Sequence, residues 1–166
     1  MREPIKDKIR LEHIHDAINN VLSFTNGKTL DQIENDKILY FAVVKNIEII
    51  GEAAYHLTKA FCQEHPETEW QGIMRMRNVL VHDYYQINLQ TVWAIIQYDL
   101  PILQEQINRY LIETDWTAWE ANEQAIVETA VHKNLIQTAS RMKKDGLTIK
   151  QISRYTGLSK EEIEDI

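Results

Sequence analysis

The sequence predicts an all-α chain: an antiparallel bundle of four to five helices, followed by a C-terminal helical, helix-turn-helix-like appendage. Three observations predict it. Of 166 residues only five are Gly and three are Pro, too few breakers for a strand-and-turn architecture. Hydrophobic residues make up 44% of the chain, enough for a real core. Apolar residues recur every three or four positions in long segments with short connections, the pattern of a bundle.

The first helix is expected over residues 5–24, where Ile9, Ile14, Ile18, Val21 and Leu22 share a face. Asn26-Gly27 ends it, because both residues tolerate the left-handed conformation of a helix C-terminus. Residues 28–36 read as a polar connection with at most a short turn. A long second helix is expected over 36–64. Asp36 is its N-cap, Pro66 closes it, and Leu39, Val43, Val44, Ile47, Ile50, Ala54, Leu57 and Phe61 form its apolar face. The third helix is expected over 69–81 on Ile73, Met76 and Leu80. The fourth runs over 89–112 on Val92, Ile95, Ile96, Leu103, Ile107 and Leu111, with a kink at Pro101. A bundle over residues 1–112 results.

Residues 113–166 form the extension. Thr114-Asp115 caps a fifth helix over 116–144, and Gly146 stops it. Two short helices around Gly157 follow, the second opened by a Ser159/Glu162 capping box. Charge is uneven here. Glu113, Asp115, Glu120, Glu123 and Glu128 come first, then Lys133, Arg141, Lys143, Lys144, Lys150, Arg154 and Lys160 against Asp145, then an acidic end. The would-be recognition helix, SKEEIEDI, is acidic and repels DNA. A protein-contact or oligomerisation role is the leading expectation for this tail, with RNA contact through the basic stretch, then a passive appendage, as the alternatives.

Composition excludes several classes. A net charge of −7 argues against broad non-specific nucleic-acid binding but leaves room for a local basic site. The single Cys62 rules out an intrachain disulfide and a cysteine zinc site, and fits a reducing cytoplasm. No apolar run approaches the roughly 18 residues of a membrane span. The charged N-terminal stretch has no apolar signal-peptide core.

One stretch departs from the amphipathic pattern: RNVLVHDYY, residues 77–85. His82 lies five residues past Arg77, about 140° further round an ideal helix. The two converge if the helix ends near His82 and the backbone turns. Arg and His suit metal-free phosphodiester chemistry. RNA cleaves when its 2′-OH attacks the adjacent phosphate, which needs a base, an acid for the leaving 5′-oxygen and a cation for the developing charge. His titrates near neutral pH and serves as base or acid. Arg offers a charged planar fork to phosphate oxygens. Asn78 can orient His82 or a phosphate oxygen, and Tyr84 can bond the phosphate or stack on a base. One His cannot be both base and acid in one step, and a symmetric dimer supplies a second copy across a shared cleft. The plain alternative is structural: Arg77 pairs with Asp83 or with a carboxylate of the second helix, and His82 simply ends its helix.

Together, RLEHIHDAI near the start, IEIIGEAA at 47–54, RNVLVHDYY, and VWAIIQYDLPIL at 92–103 resemble the HepT-like branch of the HEPN superfamily, over about residues 7–110. Its Arg-x4-His-x-Tyr pattern is matched by Arg77, His82 and Tyr84. The resemblance implies the toxin half of a toxin–antitoxin pair: a dimeric, metal-independent endoribonuclease needing no cofactor, with Arg77 and His82 catalytic at a dimer cleft. Asn78, Asp83 and Tyr84 support the site. It implies a partner as well, a minimal nucleotidyltransferase antitoxin that can transfer AMP to Tyr84, with Tyr85 the weaker candidate. An adenylate there would fill the cleft and repel RNA phosphates. The rival reading is a catalytically inactive module that binds nucleotide or RNA and scaffolds the nucleotidyltransferase.

Other constellations carry less. Glu48, Glu52 and His56 share one stripe of the second helix. A metal reading is weak, because a second ligand-bearing helix is missing, and lining the cleft or pairing with Arg75 or Arg77 is preferred. Gly51 between the two carboxylates is expected to permit close helix packing. Trp70, Trp93, Trp116 and Trp119 read as core or interface residues, with the tips of Trp70 and Trp93 candidates to border the cleft. His13 and His15 read as surface or interface residues, and Cys62 as a small buried residue.

Overall fold

The computed structural model describes residues 7–82 and 88–166, with the side chains of residues 78 and 80–82 left aside. Among the described residues the ordered elements are all helical. The chain divides into two compact units, Met1–Thr114 and Asp115–Ile166. No described helix is long and apolar enough to cross a membrane.

In the first unit, α1 (Asp7–Thr25) buries Leu11, Ile14, Ala17, Ile18 and Val21 against α3 (Lys37–Tyr55) and α7 (Leu100–Glu113). Ile9, expected on that face, is 40% exposed, and Leu11 takes its place. The polar connection holds a real helix, α2 (Leu30–Asn35), fixed by a capping box in which Thr29 and Gln32 each satisfy the other's backbone N–H. Its Ile33 is fully buried.

The expected single helix over 36–64 is two helices. α3 opens on Asp36, whose side chain accepts from the Leu39 N–H at 3.0 Å, and it stops at Tyr55. A new helix, α4 (Lys59–Glu64), begins on Thr58. The cause lies far away in sequence. Asp7, 1% exposed, accepts the Thr58 backbone N–H at 2.8 Å and the Thr58 hydroxyl at 2.6 Å. Both bonds need Thr58 in extended, N-cap conformation, and the continuous helix is broken there.

α5 (Trp70–His82) crosses α3. The expected fourth helix is also divided. α6 (Leu89–Ala94) passes through a π-helical turn, Ile95–Asp99, into α7. Pro101 explains it: the residue has no N–H and its ring would strike the carbonyl four residues back. The chain widens by one residue instead, and the Leu100 N–H reaches Ile95 O. The aromatic floor of this unit is Phe61, Trp70 and Tyr110, with ring centroids 5.8–6.3 Å apart. The Trp70 indole N–H donates to His65 O at 2.9 Å, so its polar tip is used inside the floor and does not border a cleft. Cys62 is half-buried, and burial pushes its thiol upward, assisted by Asp7.

The second unit has its own core. α8 (Trp116–Lys144), α9 (Ile149–Thr156) and α10 (Lys160–Glu164) close over Ala139, Ile152, Leu158 and Ile163. Gly157 takes φ +76°, the left-handed turn between α9 and α10. Ser159 and Glu162 form the capping box of α10.

Candidate functional site

Arg77 leaves α5 where that helix packs against α3. The contact is made at Gly51. A Cβ on residue 51 would run into the Arg77 Cβ and would stand 3.2 Å from the Arg77 Cα and from the Ile73 carbonyl oxygen. Only glycine lets the two backbones approach this far. The next residue of α3, Glu52, then meets the guanidinium. Arg77 Nε donates to Glu52 Oε2 at 2.7 Å, and His56 Nε2 lies 3.1 Å from Glu52 Oε1. One carboxylate therefore joins the arginine to a histidine. Burial pulls the Glu52 carboxyl upward, but the hydrogen bonds from Arg77 and His56, with their charges, outweigh it and hold the group below its ordinary value.

Tyr55 completes the cluster. Its ring centroid is 5.9 Å from the Arg77 guanidinium carbon, within cation–π range, and 5.3 Å from the His56 ring at 81°. Glu48, on the same stripe, turns to Lys45 at 3.0 Å instead. Of the expected pairings for this stripe, the one with Arg77 forms. No group of three or more His, Cys, Asp and Glu side chains among the described residues is placed to hold a metal ion.

Asn78 and His82 occupy the second half of α5, and His82 is its last residue. Their side chains, and the whole of Asp83, Tyr84 and Tyr85, lie outside the described residues. Sequence reasoning left Tyr55, beside the Arg77 guanidinium, unnoticed. Its only signal was its place four residues past Gly51, on the turn that follows Glu52.

A cleft of about 390 Å³ opens on another part of α5, lined by Gly72, Ile73 and Met76 with Thr68, Asp99, Ile102 and Gln106. Its rim carries Glu67, Glu69 and Asp99, a charge pattern that repels phosphate. Glu67 is held by Arg109 at 2.6 Å and by the Tyr110 hydroxyl at 3.0 Å.

Residues 14–110, more than half of the chain, match the ribonuclease HepT-like family. The chain belongs to that family. A protein of Methanocaldococcus jannaschii, named gamma-glutamylcyclotransferase and putative RNase, is 34% identical to it over 69% of this chain, and the match spans 51% of that protein's own length. Another from the same organism, named putative RNase, is 34% identical over 59% of this chain and 82% of its own. A protein of Thermococcus cleftensis named probable ribonuclease HepT is 33% identical over 60% of this chain and 90% of its own. No solved structure matches the chain. In this HepT-like chain the matched span takes in α3, α5 and the whole Arg77 cluster, and leaves out the second unit.

Proposed function

We propose that this HepT-like chain is the toxin of a HEPN/minimal nucleotidyltransferase pair, an endoribonuclease that cuts RNA without a metal ion. The observation that carries the reading is Arg77, fixed by Glu52 at the α3–α5 crossing, five residues before a histidine at the end of the same helix, in a chain of this family. A buttressed guanidinium is a ready partner for the charge that builds on a phosphate during attack.

The reaction is a transesterification. A base takes the proton of the RNA 2′-OH, and the oxygen attacks the adjacent phosphorus. The bond to the 5′-oxygen breaks, and an acid protonates that leaving oxygen. The products are a 2′,3′-cyclic phosphate and a 5′-hydroxyl end. His82 acts as base or acid and Arg77 stabilises the phosphorane-like transition state, while Asn78 and Asp83 orient them and Tyr84 contacts substrate. Along α5, His82 stands about 140° from Arg77. That separation favours a homodimer in which two copies of the motif face one cleft and supply both proton-transfer groups. Neutralisation follows when the antitoxin transfers AMP from ATP to the Tyr84 hydroxyl oxygen, with pyrophosphate leaving, which places a bulky anion where RNA phosphate binds. The cytoplasm is where such a pair would act.

The test is cleavage of total cellular RNA in EDTA by purified wild type and His82→Ala, both free of partner and checked by intact mass for AMP. Cleavage by wild type alone supports the assignment. Equal cleavage by both removes His82 from the chemistry. No cleavage by unmodified, folded, dimeric wild type favours the scaffold module.

A further inference from the structure

Tyr55 is a largely exposed aromatic side chain at the Arg77 cluster. It is the last residue of α3, and 60% of it is exposed. Its described neighbours are polar: the Arg77 guanidinium at 5.9 Å and the His56 ring, edge to face at 5.3 Å. His56 is anchored by Glu52, the same carboxylate that anchors Arg77. The ring is therefore braced by two groups that one acid holds in place, and it stays open to solvent beside the chain's phosphate-handling cation.

We infer that Tyr55 is a stacking platform for a nucleobase of the RNA, next to the phosphate held by Arg77. This rests on the ribonuclease reading above and names a subsite within it. The geometry suits a nucleotide. The guanidinium and the ring are immediate neighbours, 5.9 Å apart, so a phosphate on one and its adjacent base on the other can belong to one stretch of single strand. Stacking on an aromatic face is indifferent to base identity, so the subsite selects single-stranded RNA with a base free to splay out, and not a sequence. It also answers an electrostatic difficulty. The chain carries a net charge of −7 and Glu52 shares the charge of Arg77, so phosphate attraction alone is modest. A stacked base adds affinity that salt does not screen.

The test is a binding cycle. The probe is a short single-stranded oligonucleotide with 2′-O-methyl riboses, which cannot supply the attacking hydroxyl, and a matched set with one abasic position moved along it. Tyr55→Ala should weaken binding of the intact probe by about 5- to 150-fold, the range for one stacked base, while Tyr55→Phe keeps wild-type affinity because the ring remains. One abasic position should weaken wild type by a similar factor and leave Tyr55→Ala unchanged, the non-additivity of a shared contact. Thermal melting of each variant confirms that an exposed side chain was changed without unfolding the bundle. The subsite is overturned if wild type binds and cleaves RNA but Tyr55→Ala matches it, or if Tyr55→Phe loses as much as Tyr55→Ala. A wild type that neither binds the probe nor cleaves RNA overturns the ribonuclease reading and this subsite with it.

Discussion

Gly51 shows how much one missing methyl group can decide. In an exposed helix, Gly→Ala gains about 1 kcal/mol of helix propensity. Here the new Cβ meets the Cβ and backbone of Arg77, neither of which can swing aside, and overpacking of that kind costs about 1–3 kcal/mol or more. Gly51→Ala should therefore lower stability in urea titration despite its better propensity, and should lower RNA cleavage further by shifting Arg77 off Glu52. Glu52 gives a pH-dependent counterpart. Its carboxyl is held below the ordinary value of 4.5 by Arg77 and His56, against the upward pull of burial. A depressed acid stabilises the fold above its unfolded-state pKa and stops doing so as pH falls through its folded value. The stability gap between wild type and Glu52→Gln should thus be open at neutral pH and close on acidification below about 4.5. Paired denaturation curves across that range check it, and a gap that widens in acid refutes the ion-pair role. The Arg77–Glu52 contact was only half legible in the sequence. The stripe of Glu48, Glu52 and His56 is visible as spacing, but which carboxylate meets which arginine depends on where α3 and α5 cross. Spacing within one helix does not contain that.

The elements follow the hydrophobic period where a helix is long and uninterrupted, as over Ile14, Ile18 and Val21 of α1. They depart from it where a contact distant in sequence intervenes. The break at residues 56–58 is the clearest case. The apolar face runs on from Ala54 to Leu57 and Phe61, so periodicity predicts one helix. Asp7 overrides it, because a buried carboxylate needs donors and Thr58 supplies two by leaving the helix. The short α2 differs, since its Thr29–Gln32 box is written locally and was hidden only by polar composition. Asp7→Ala should cost about 1–3 kcal/mol, because it removes two hydrogen bonds to a charged group and leaves the part-buried Thr58 donors without that partner. Hydrogen exchange should rise first at the N-terminus of α4. Unchanged protection at residues 58–61 would show that Thr58 caps α4 without Asp7.

At the scale of the whole molecule, the two units carry separate cores. The second is small, and so few residues supply at most about 3–5 kcal/mol without staples. Ile163, fully buried among Ala139, Ile152 and Leu158, contributes a large part of that, since Ile→Ala costs about 2–5 kcal/mol. Ile163→Ala should melt α9 and α10, seen as loss of exchange protection over 149–164, while protection of α3 and α5 persists. Parallel loss in both units would show that they do not stand on separate cores. The first unit has a mechanical property of its own. Two helices that touch backbone to backbone at one glycine can tilt about that point far more easily than they can slide. Gly51 is therefore a fulcrum, with Arg77 resting on it. His82 sits at the end of an arm of about 7.5 Å and Trp70 at the end of an opposite arm of about 10.5 Å. The acidic-rimmed cleft at Gly72, Ile73 and Met76 lies on the Trp70 arm. Any rigid tilt of α5 about that contact would move its two ends in opposite senses and move residue 77 least.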